Sequence, residues 1–122
     1  MTEEQKELLL KDLCARLPYG IRGKYIDKFY KEGMPFDPLV DNILISYKNP
    51  FSLLDGTIKP YLFPLSSITE EQKMELNMLR TYVSLNKNKE YLLFDWLNAN
   101  HFDYRDLIPM ELAIDATNLN IY

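Results

Sequence analysis

Leu9, Leu13 and Leu17 recur four residues apart, with Leu10 and Cys14 beside them and polar residues filling the intervals. That period lays one apolar stripe along a helix. The preceding Thr2-Glu-Glu-Gln5 is a capping box, in which the Thr hydroxyl accepts from the Gln5 amide and the Gln side chain reaches back. Pro18 disfavours the helical region for Leu17. The pattern predicts a helix over 3–16, with Cys14 a small buried hydrophobe. From Tyr19 to Ser67 the period changes: Gly, Pro, Asn and Asp punctuate short runs of Ile, Leu and Tyr, as in strands and turns. One strand is expected over 21–26, extended by Phe29 and Tyr30, then a loop over 31–38. A second is expected over 42–47, and Asp55-Gly56 marks a turn between apolar residues. Pro60 and Pro64 make 59–67 an extended edge or connector rather than a central strand.

TEEQK occurs at 2–6 and again at 69–73. The residues after Lys73 do not continue the match, so this is one good helix start used twice rather than a duplicated domain. The second helix should end near Leu85, with Leu76, Leu79, Tyr82 and Val83 on its buried side. A third is expected over 90–99, where Leu92, Leu93, Phe94, Trp96 and Leu97 wrap most of the circumference and predict the most buried element. Asp103 then caps a turn over 103–108 that Pro109 ends. Residues 112–116 read either as a last helical turn or, the favoured reading, as a strand returning to the sheet, and 118–122 as a tail whose Ile121 and Tyr122 tuck down. The expectation is one α+β domain over 1–122. It has an N-terminal helix, a small antiparallel sheet of three or four strands curled into an SH3-like roll, and two or three C-terminal helices.

A chain of 122 residues suits one domain that buries roughly two-thirds of its unfolded surface. Residues are 47% hydrophobic and 26% charged, as in a soluble globular protein. The opening TEEQKE has neither the basic region nor the apolar core of a signal peptide, and no apolar run is long enough to cross a bilayer. A cytoplasmic protein is expected. A single Cys leaves no internal disulfide and no multi-thiolate zinc site.

The chemistry-bearing inventory is short. Any nucleophile–base pair must run through His101, the only His, which Asp103 would orient; no Ser stands in a nucleophile-elbow sequence. His101, Asp103 and Asp106 lack the spacing of a metal site, and Asp37, Asp41 and Asn42 do not match a calcium loop. No glycine-rich phosphate loop is present. The reading is therefore a non-enzyme without metal or cofactor.

Binding features remain. Phe102, Asp103, Tyr104 and Arg105 combine residue types enriched at interface hot spots, and they are the candidate contact for a protein partner. The alternative is nucleic acid. The net charge of −4 argues against it, yet Arg22, Lys24, Tyr25 and Lys28 interleave cations with an aromatic ring, as single-strand binders do.

Three segments carry a resemblance: LLLKDLCARLPYG (8–20), KPYLFPLSS (59–67) and FDWLNANHFDYRDLIPMELAIDA (94–116). In their order and spacing they resemble a family of small proteins, with no activity attached, encoded by phages and mobile elements of gut bacteria. The resemblance implies a small accessory protein of the bacterial cytoplasm that acts by binding another protein; it implies no site residues.

Overall fold

A computed structural model describes residues 1–26, 41–45 and 57–122. Helix α1 (Glu3–Arg16) starts as its cap sequence requires: Gln5 N donates to Thr2 Oγ1 at 3.1 Å, and Thr2 N donates to Gln5 Oε1 at 3.0 Å. A 3-10 turn (Leu17–Tyr19) comes next, and Gly20 reverses the chain at φ 72°, where a side chain would be strained. The buried positions of α1 are Leu9, Asp12, Leu13 and Arg16, one face at helical spacing. That face is centred one residue away from the leucine stripe, which turns Leu10 and Cys14 outward, so Cys14 is exposed rather than buried.

The fold is α+β, with a mixed sheet built around β3 (Ile58–Pro64). Strand β1 (Arg22–Tyr25) pairs antiparallel with both β2 (Ile43–Leu44) and β3, through Gly23↔Ile43 and Gly23↔Pro60. Strands β4 (Phe102–Asp103) and β5 (Ile114–Asp115) pair with β3 in parallel, through Phe63↔Phe102 and Tyr61↔Ile114. The antiparallel pairing expected of the sheet thus holds among β1, β2 and β3, while two parallel pairings make the sheet mixed rather than antiparallel. Of residues 112–116, Ile114–Asp115 return to the sheet as a strand.

The segment expected to be an edge or connector is instead the central strand. Ile26 N donates to Thr57 O across the β1–β3 pairing at 2.6 Å. Alternation along an antiparallel ladder then makes Gly23↔Pro60 a non-hydrogen-bonded pair, so the ring that lacks an N–H forfeits no bond to β1. Phe29, Tyr30, the loop over 31–38, residues 46 and 47 and the Asp55-Gly56 turn lie outside the described residues.

The core lies between α1, the sheet and the C-terminal segment. Leu9 and Leu13 meet Ile21, Ile45, Ile58 and Leu62, and Leu107, Leu112 and Ala113 close the far side. Each fully buried Leu or Ile contributes roughly 1.5–3 kcal/mol relative to exposure. A smaller cluster joins Tyr61, Ala116 and Ile121, so the tail does tuck down.

Helix α2 (Glu70–Leu85) repeats the capping box through Thr69 and Gln72, then packs on α3 (Tyr91–Ala99). Helix α3 is not the most buried element. Asn98 is its buried residue, while Tyr91 and Phe94 are exposed, because α2 and α1 cover only part of its circumference. Tyr82, expected on the buried side of α2, is exposed as well. Among the described residues no helix is long and apolar enough to cross a membrane.

Candidate interaction surface

Beneath the C-terminal motif lies a buried ionic network. Arg16 Nε donates to Asp12 Oδ2 at 2.8 Å within α1, and Arg16 Nη2 donates to the Phe102 carbonyl at 2.6 Å. Both side chains are almost wholly buried. Arg105 Nε stands 3.6 Å from Asp12 Oδ1, so two guanidinium groups share one carboxylate. Burying one charge without the other is costly, roughly 3–5 kcal/mol when a partner is removed. Arg16 thereby locks α1 to β4.

The network positions Tyr104. Its hydroxyl donates to Asn98 Oδ1 at 2.9 Å and accepts from Arg105 Nη2 at 3.3 Å. Both guanidinium groups also lie over its ring, Arg16 at 5.2 Å and Arg105 at 4.9 Å from the centroid, within cation–π range. On the surface side the Phe94 ring meets it, centroids 5.6 Å apart and tilted by 57°. Tyr91, one helical turn before Phe94, extends the exposed aromatic face, and Lys89 Nζ sits 6.0 Å from its centroid.

The four residues singled out in the sequence therefore divide. Phe102 is buried at 1% exposure, its ring stacked 5.7 Å from that of Trp96. Asp103 is buried too: Oδ1 accepts from Arg105 N and Leu107 N and Oδ2 from Ile108 N, which is the turn cap expected of it. Tyr104 and Arg105 are half-buried and reach the surface. The structure adds Tyr91 and Phe94. The sequence signal for them is their spacing of three on a short helix whose apolar positions exceed what one face can bury.

His101 adopts a left-handed φ of 62° just past α3, and its ring stacks on Tyr122 with centroids 3.6 Å apart. Burial, with the Arg16 charge adding to it, lowers its pKa to about 4. Tyr122 donates to the Tyr61 carbonyl at 2.7 Å, accepts from Arg22 N at 2.9 Å, and burial pushes its pKa up. The Asp103 carboxylate, expected to orient His101, is taken up by backbone amides instead. Among the described residues no three His, Cys, Asp or Glu side chains converge.

Of the basic strand, Arg22 is half-buried, Tyr25 is exposed, and Lys24 pairs with Asp41 at 3.5 Å. That pairing diminishes the positive field such a surface needs. Lys28 lies outside the described residues. A cavity of about 180 Å³ opens between Phe63, Phe102, Ser67, Thr69 and Gln72. Thr69 and Gln72 already bond each other in the cap of α2, and Ser67 donates to the Pro64 carbonyl.

Comparison of the chain with protein-family models, with curated proteins and with solved structures finds no match.

Proposed function

We propose that the chain is a protein-interaction module, which docks its partner on the surface formed by Tyr91, Phe94, Tyr104 and Arg105. The observation that carries this reading is the immobilised Tyr104 ring, held by Asn98, overlain by two guanidinium groups and flanked by the exposed ring of Phe94. Binding normally costs the ordering of interface side chains, and an aromatic group fixed beforehand avoids that cost. Tyr and Arg are also the residue types that dominate measured hot spots. Resemblance of segments 8–20, 59–67 and 94–116 to phage and mobile-element proteins supports an accessory role of this kind in the bacterial cytoplasm.

The test is capture from host lysate on the tagged protein, with nuclease-treated and untreated halves read by mass spectrometry. A protein recovered in both halves is expected, with recovery reduced at least about tenfold by Phe94→Ser, an exposed change that leaves the fold intact, and by Tyr104→Ala. Recovery unaffected by both substitutions would sink the reading. Recovery that vanishes with nuclease would transfer attention to Arg22 and Lys24.

A further inference from the structure

Helix α2 has a second apolar face that stays exposed among the described residues. On its inner side Leu76 is buried and Leu79 and Val83 are half-buried. About 140° round the helix, at 3.6 residues per turn, Met74, Met78, Tyr82 and Leu85 form a separate stripe. Their exposures are 67%, 73%, 48% and 79%. The spacing of four, four and three residues keeps the four side chains on one line along the helix. Leaving it in water is unfavourable, and contiguous apolar patches of this kind mark association sites. Methionine suits such a surface because its unbranched side chain conforms to what it meets.

The occupant is written in the charge distribution. The first turns of α2 carry Glu70, Glu71 and Glu75 against Lys73, whereas Arg80 stands in its second half and Lys87 in the turn just past its last residue, Leu85. Glu71, Arg80 and Lys87 are exposed. A helix acidic in its first turn and followed by a lysine just past its end is complementary to itself when antiparallel, and its macrodipole then opposes that of its neighbour. We propose that the partner of this face is a second copy of the chain, in a two-fold antiparallel pairing of α2 centred between Met78 and Tyr82. In that register Met74 packs against the partner's Leu85, and Met78 against the partner's Tyr82. The acidic end of each helix lies over the basic end of the other, as an isologous interface requires. Covering the four side chains removes on the order of 500 Å² from each copy, about 1,000 Å² in all, the lower bound for a specific interface. The result is a weak dimer, with dissociation in the micromolar range. This surface is separate from the one around Tyr104, so the two proposals stand or fall independently.

Sedimentation equilibrium of the full chain across micromolar concentrations tests it. The wild-type chain is expected to dimerise, Met78→Asp to weaken the dimer at least about tenfold, and Phe94→Ser to dimerise as wild type. Orientation is read from charge reversals. Glu71→Lys and Lys87→Glu should each weaken self-association severalfold, because each sets like charges together at both ends. An equimolar mixture of the two variants should associate as well as wild type, since both ends are then complementary. Unchanged melting temperatures of the variants at dilution exclude unfolding as the cause. A wild-type chain that stays monomeric, a dimer indifferent to Met78→Asp, or a mixture no tighter than its components would each overturn the proposal.

Discussion

His101 shows how one residue records both chain direction and environment. Asn98 accepts its backbone N–H, its own carbonyl accepts from Phe63 N, and its ring lies flat on Tyr122. Its Nδ1 is buried without a hydrogen-bond partner, and the Arg16 charge adds to the burial that disfavours the imidazolium. The folded pKa of about 4 lies below the ordinary 6.5, so the neutral ring is the form that the fold stabilises. Above the unfolded pKa that stability is fully present. As pH falls through the interval between 6.5 and about 4, the unfolded chain takes up a proton that the folded chain refuses, and stability declines. Allowing for solvent at a half-buried ring, the loss between about pH 7 and about pH 5 should be about 1 kcal/mol. Denaturant titrations at the two pH values measure it. His101→Asn, which tolerates the left-handed backbone, should lose that increment. Equal pH dependence in both proteins would show that the ring titrates as freely in the folded state as in the unfolded one.

At the scale of elements, what was legible was local. Both capping boxes join residues three apart, Thr2 with Gln5 and Thr69 with Gln72, so their helices are written in four consecutive letters. The Asp103 turn likewise closes within five residues. Strand β3 was not legible, because its partners stand at residues 22–25, 102–103 and 114–115 and no local pattern announces them. The burial of Asp12 and Arg16 was not legible for the same reason: the carbonyl that accepts from Arg16 lies 86 residues further along. One position in β1 shows how tight the resulting pairing is. A Cβ at Gly23 would stand 2.6 Å from Ile45 Cδ1 and 2.8 Å from the Lys59 carbonyl oxygen. The isoleucine methyl is the end of a side chain and can shift, but the carbonyl belongs to the ladder and cannot. Gly23→Ala should therefore cost roughly 1–3 kcal/mol, the range for overpacking. Hydrogen exchange should show the loss concentrated in the β1–β3 amides. A substitution without effect on either would mean that the two strands separate at little cost.

For the molecule as a whole, stability and association are carried by different surfaces, and α2 places the two side by side. Leu76 is 7% exposed and Met78, two residues on, is 73% exposed. The sequence pattern alone does not separate these faces, because both are apolar, Leu76, Leu79 and Val83 on one and Met74, Met78, Tyr82 and Leu85 on the other, and only the position of α3 decides which one is covered. Hence Tyr82, expected on the inner side, stands on the outer one. The division makes a paired prediction. Leu76→Ala removes buried volume that the surroundings do not refill and should cost roughly 2–4 kcal/mol. Met78→Glu changes a side chain that water already surrounds and should stay within about 0.5 kcal/mol of wild type. In a chain of this length about 1 kcal/mol corresponds to roughly 3–6 °C in melting temperature, so a thermal melt at dilution separates the two readily. A drop for Met78→Glu as large as that for Leu76→Ala would mean that the outer face of α2 is packed within the monomer. The antiparallel pairing would then lose the exposed apolar stripe on which it is built.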